Sequence, residues 1–401
     1  MDLSLIDRNF MWFKDRSCSR IDRVLVNIEW TEKFPDMRLK GGPRGLSDHY
    51  PLIVELTRVR GGPRPFRSLD SWFTHEGFLR VVKNEWRNLG DAQFTCKLKA
   101  LTVPLRKWHK DNFGDMDKRL MMFEEEIKRL DNMVSDCIYD GTTKARRKAL
   151  VSFCEKWYVR KEIHSKQISR SQYARNINKN TKYFDNIASA RRRNNRIDTL
   201  MIGGRLVRNQ ARIKVAIRGF YKDLYRQKYA LRIGVRDGLV KKIDGAEAEA
   251  LGVLPSVEEI REAVWDCESS KTPGSDGYNM NFIKQCGEDI GQEFTAAVMG
   301  FFQSAKLPTD ANVMWVTLAP KFVGSKEIKD FQPISMVGCV YNVILKVLVR
   351  RMRSVMSGLV GETQSSFVKG RKIHDSALIA YETVQWLKTQ RKKAAIIKLD
   401  F

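Results

Sequence analysis

Phe113-Gly114-Asp115-Met116-Asp117-Lys118-Arg119-Leu120 opens a run that continues through Phe123, Ile127 and Leu130 to Val134. Its apolar residues recur at alternating spacings of three and four, the period of one helix face. Glu124 and Lys128 add an i,i+4 pair on the surface of that helix. The pattern predicts one arm of an antiparallel helical hairpin, with self-association through the stripe as the alternative.

The texture changes on either side. Before residue 58 the chain reads as strands. Arg23-Val24-Leu25-Val26-Asn27 and Pro51-Leu52-Ile53-Val54-Glu55-Leu56 are short and rich in branched residues, and Lys40-Gly41-Gly42-Pro43-Arg44-Gly45 punctuates the interval. A second such stretch, Arg60-Gly61-Gly62-Pro63-Arg64-Pro65, marks a boundary. Residues 58–254 read as helical and basic. From 255 onward, helices at 258–267 and 289–305 alternate with a tight loop at 271–277 and a strand, Met314 to Lys321, that ends in a cation. The expected fold class is α+β, predominantly helical, with a β segment at the N-terminus.

Composition narrows the function. The formal net charge of +25 predicts a polyanion as partner, nucleic acid first and an acidic membrane second. No apolar stretch is long enough to span a bilayer, and the first ten residues lack the apolar core of a signal peptide. The cysteines are scattered without a C-x-x-C pair, which argues against a zinc site and a disulfide framework. An intracellular protein, nuclear or cytoplasmic and not secreted, is expected.

Lys144 to Arg196 holds 16 Lys and Arg against 3 acidic residues. Trp157, Tyr158, Tyr173, Tyr183 and Phe184 are interleaved, and the run closes on Arg191, Arg192, Arg193 and Arg196. Cations of one sign beside aromatics predict contact with a phosphate backbone, without base-specific readout. A solvated charged face is the plain alternative.

Two groups of carboxylates carry candidate chemistry. Asp22 stands at the start of one strand segment, and Ser47-Asp48-His49 opens another. Two carboxylates and an imidazole on adjacent strand ends can serve phosphodiester cleavage, one Asp orienting the His and the other holding a metal-bound water. At the other end, Ala394-Ala395-Ile396-Ile397-Lys398-Leu399-Asp400-Phe401 is an apolar run leading to a carboxylate.

These residues resemble known families. Arg20-Ile21-Asp22-Arg23 followed by Ser47-Asp48-His49-Tyr50-Pro51 is similar to the C-terminal end of the apurinic-endonuclease-like family. Lys271-Thr272-Pro273-Gly274-Ser275-Asp276-Gly277 resembles the K-x-P-G-x-D-G loop that opens the reverse transcriptase of LINE-type (non-LTR) retrotransposons. Leu318-Ala319-Pro320-Lys321, Asp330-Phe331-Gln332-Pro333-Ile334-Ser335, Gln364 to Arg371, and Ile396 to Phe401 follow in that family's order. Asn178 to Phe184 with Arg191 to Ile197 resembles the linker of plant LINE-type polyproteins.

The resemblance implies residues 1–57 as the end of a nuclease domain, 58–254 as a linker, and 255–401 as the fingers and start of the palm of a polymerase. It implies that His49 contacts the scissile phosphate, Asp22 orients it and Asp48 positions water. It implies Lys321 as a triphosphate clamp, with Gln332 standing where the family has Arg and carrying no charge. Arg371 and Lys369 would meet template or primer, with helix capping as the plainer role for Arg371. Asp400 would be the first ligand of Mg2+. The nuclease's upstream metal ligands do not occur before Asp22, and no Y-x-D-D tetrapeptide occurs in the sequence. A catalytically inactive fragment with residual nonspecific binding of RNA or DNA is therefore expected. A repurposed nucleic-acid-binding module is the alternative.

Overall fold

A computed structural model describes residues 2–14, 17–44, 47–56, 65–134, 141–169, 181–226, 241–361, 364, 368 and 370–395. Helices hold 57% of the chain and strands 11%, so the fold is α+β and predominantly helical. Every sheet among the described residues is a two-stranded antiparallel pair. The chain forms two compact units interleaved in sequence. The first is Met1–Lys228, Glu268–Ala297 and Leu307–Tyr341; the second is Tyr229–Cys267, Val298–Lys306 and Asn342–Phe401.

The first unit begins with β1 (Trp12–Lys14), β2 (Ser17–Ser19) and α1 (Ile28–Lys33), then the hairpin of β3 (Met37–Gly41) and β4 (Leu52–Leu56). Asn27 caps α1 by accepting the Trp30 amide at 2.8 Å. Leu3, Leu5, Met11, Met37 and Leu39 form a small core, backed by Val24, Val26 and Leu52. The strand expected at 23–27 is only partly realised. Val24 and Val26 turn inward and Leu25 outward, as in a strand. The backbone, however, forms no named strand there: it pairs at the isolated bridge Asp2↔Leu25 and through the Leu3 amide on the Val24 carbonyl. Alternation was legible; the partner that makes a ladder was not.

Next come α2 (Phe78–Asn88) and α3 (Phe94–Asn112). Phe78, Val82 and Trp86 bury one face of α2, and Phe94, Leu98, Leu101 and Leu105 one face of α3. Each such side chain contributes ~2 kcal/mol by leaving water. Their partners lie far along the chain, in α10 (Met280–Gln285) and α11 (Gly287–Ser304). Phe78 meets Phe282, and Phe94 meets Phe294 edge-on at 5.3 Å. Tyr278 donates its hydroxyl to the Leu98 carbonyl at 2.9 Å. Lys97 is 5% exposed and binds both carboxylate oxygens of Glu293, which also accepts from the Trp86 indole.

The expected hairpin is present as α4 (Met116–Val134) against α5 (Gly141–Ser169). Asp131 pairs with Arg147, Glu126 with Arg146 and Asp117 with Lys161, which fixes the antiparallel sense. Phe113, Leu120 and Leu130 are buried, and Phe123 stacks on Phe153. The stripe nonetheless crosses two helices. Gly114 adopts φ +54° and its amide returns to the His109 carbonyl, ending α3. Asp115 then accepts the Lys118 amide and starts α4. A left-handed residue is where glycine costs least, and Gly114 supplies the break.

α6 (Thr181–Asn194) leads to a hairpin of β5 (Leu200–Ile202) and β6 (Arg205–Val207), then α7 (Gln210–Leu224). The hairpin was not expected, although Gly203-Gly204 between two apolar runs is its signature; both glycines have positive φ. Leu200, Ile213 and Phe331 form a core joining α7 to the hairpin of β7 (Trp315–Pro320) and β8 (Phe331–Met336). The strand expected at 314–321 is thus β7.

The second unit contains α8 (Gly245–Gly252), α9 (Val257–Asp266), most of α12 (Cys339–Leu359) and α13 (Ile373–Thr389). Arg351 forks onto Glu259 and Arg350 onto Glu262 and Asp266, tying α9 to α12. No helix among the described residues is long and apolar enough to cross a membrane.

Candidate functional site

The residues implied in phosphodiester chemistry meet at the edge of the N-terminal core. The Phe13 amide bonds the Asp48 carbonyl and the Tyr50 amide bonds the Met11 carbonyl, so residues 48–50 lie along β1. This brings His49 Nδ1 to 2.7 Å from Asp22 Oδ2, both side chains partly exposed. The bond to Asp22 raises the His49 pKa and favours its imidazolium form. Asp48 turns elsewhere: its Oδ2 accepts the Trp12 indole N–H at 3.0 Å, and that bond lowers its pKa. An imidazolium held by a carboxylate can face an anion. Asp22 is turned to His49 and Asp48 to Trp12, so the two carboxylates do not share one partner. Among the described residues no three His, Cys, Asp or Glu side chains converge.

The polymerase-like residues fall on separate elements. Lys321 and Gln332 are exposed on the β7–β8 hairpin. Gln332 stands opposite Ala319, and the Lys321 amide bonds the Asp330 carbonyl at 2.9 Å. Arg371 donates to the carbonyls of Val360, Gly361 and Gln364, just past the end of α12, where helix carbonyls lack partners. Its plainer role, capping, is the one its geometry carries. Lys369 and Asp400 lie outside the described residues.

The loop at 271–277 has a structural function that its motif did not announce. Asp276 is half-buried; its carboxylate accepts the Cys339 amide at 2.7 Å and the Tyr278 amide at 3.2 Å. It therefore caps α12 from 63 residues away. Burial outweighs these bonds and raises its pKa. Gly274 lies so close to the backbone of Val337 and Gly338 that a Cβ would fall 2.3 Å from Val337 C.

The arginines of the basic run are largely occupied. Arg191 donates to the Ser169 carbonyl and Arg193 to the Pro35 carbonyl at 3.0 Å. Arg196 pairs with Asp198 at 2.8 Å. Asp198 also pairs with Arg38, which is 2% exposed, is pushed down to about 10 by burial and donates to the Arg193 carbonyl. Burial lowers the pKa of Arg193 and of Arg196 as well. Arg191 and Arg192 are the exposed pair of the four, and neither makes an ion pair among the described residues. Cations that the charge run did not include stand on α7. Lys214, Arg218 and Lys222 are exposed at i, i+4 and i+8, on a stripe flanking the face that Ile213 and Ile217 turn to the core. That spacing was the missed signal.

No protein-family profile matches the chain. Over 406 aligned residues, 96% of its length, the chain is 20% identical to the Transposon TX1 uncharacterized 149 kDa protein of Xenopus laevis. It spans 30% of the length of that relative. Along nearly its whole length the chain is thus similar to part of a transposon protein.

Proposed function

We propose that the chain is a segment of a LINE-type (non-LTR) retrotransposon polyprotein: the end of an apurinic-endonuclease-like domain, a basic linker, and the opening of a reverse transcriptase. On its own it is inert as nuclease and polymerase, and it binds RNA or DNA through charge without reading sequence. The observation that carries the binding is the net charge of +25, too large an excess for the acidic residues to neutralise. The likeness to a transposon protein across 96% of the chain supports the lineage, as do the motifs in their order. Inertness rests on the sequence, which carries no Y-x-D-D tetrapeptide and none of the nuclease family's metal ligands before Asp22.

Affinity for RNA and DNA strands, measured against salt concentration, tests the binding. A steep fall of log K with log salt, alike for strands of unrelated sequence, is expected. Binding that ignores salt would refute it. Nicking of abasic-site DNA and primer extension with Mg2+ test the inertness, and turnover in either assay would refute that part.

A further inference from the structure

We infer that α7, and not the arginine run at 191–196, is the surface that grips a single nucleic-acid strand. This rests on the nucleic-acid reading above and assigns it a place. Lys214, Arg218 and Lys222 recur every four residues, so their backbones step ~6 Å along the helix and span ~12 Å. Like charges at i,i+4 repel and destabilise a helix. Between Arg205 and Arg226 the only acidic residue is Asp223, and among the described residues none of the three cations forms an ion pair. The repulsion is relieved when a polyanion lies along the stripe.

The same side offers rings. Tyr221 and Tyr225 follow Lys214 and Arg218 on the helical wheel, and their rings stack at 6.1 Å with 20° between planes. Tyr225 is 69% exposed. A π-face beside cations suits the unpaired bases of a single strand, which a duplex keeps stacked inside. A membrane is disfavoured, because an interfacial helix needs its apolar face free. Here Ile213 and Ile217 are committed to the core with Leu200 and Phe331, which leaves only Phe220 and Leu224 of that face exposed.

The test uses the full chain, labelled oligo(U), a duplex of equal length and phosphatidylserine vesicles. Lys214→Gln, Arg218→Gln and Lys222→Gln together should flatten the salt slope for oligo(U) by about 2, since each single-strand phosphate contact contributes ~0.7. Affinity at about 0.1 M salt should fall roughly 100-fold, with the melting temperature unchanged or raised. Tyr225→Ala should weaken oligo(U) binding about tenfold with the slope intact. Arg192→Gln, in the other run, should change affinity by less than about twofold. A triple variant with the wild-type slope overturns the assignment to α7 and leaves nucleic-acid binding standing. Tighter binding of the duplex or the vesicles than of oligo(U) overturns the single-strand assignment. Wild-type protein with no salt-sensitive binding to either nucleic acid overturns the underlying reading.

Discussion

Arg191 to Arg196 and Lys214 to Lys222 are two clusters of cations about twenty residues apart. In the first, arginine is a building material. Arg191 and Arg193 satisfy backbone carbonyls, while Arg196 and Arg38 share one carboxylate. In the second, Lys214, Arg218 and Lys222 have no such task among the described residues. The denser cluster is the less available one. Charge density along a sequence measures supply; the fold decides how much is consumed internally.

The contrast breaks most visibly at Arg38. Arg38→Ala removes a buried guanidinium and leaves Asp198 with one partner and the Arg193 carbonyl without its donor. It should cost about 3 kcal/mol in equilibrium urea unfolding. A loss within ~0.5 kcal/mol would mean that the first cluster is not structural. Arg193→Ala, which frees only the Pro35 carbonyl, should cost about 1 kcal/mol. Lys214→Gln with Arg218→Gln and Lys222→Gln should act in the opposite direction, gaining ~0.5 kcal/mol by removing two i,i+4 repulsions.

The smallest effect concerns His49, where the change is one of titration. Its pKa is raised by Asp22, so the pairing holds below the ordinary histidine value and is lost as pH climbs through the raised one. Proton NMR should show His49 titrating above an ordinary histidine. Asp22→Asn should return it toward the usual value. A titration untouched by that substitution would mean the pair does not form in solution.

Much of the fold was legible where the information is local. The stripe from Leu120 to Leu130, the strand before Pro320 and the helices near 258 and 289 follow from period alone. Gly203-Gly204 is equally local, since a glycine pair between two apolar runs signals a hairpin. What could not be read depends on distant partners. Nothing near Asp276 says that its carboxylate will cap a helix beginning at Cys339. Nothing near Arg193 names Pro35 as its acceptor. The Asp22–His49 pair was anticipated, because a resemblance supplied both members; the indole on Asp48 was not.

The bond from Tyr278 to Leu98 closes a gap of 180 residues. On a ribosome adding ~5–20 residues per second, α2 and α3 emerge roughly 10–40 s before their partners in α10 and α11 exist. Through that interval Phe94 and Leu98 lack the Phe294 ring and the Tyr278 hydroxyl that complete their packing. Synthesis halted before residue 278 should yield a product prone to aggregate, because that apolar surface stays uncovered. The order of translation thereby sets a hazard that the finished fold no longer displays.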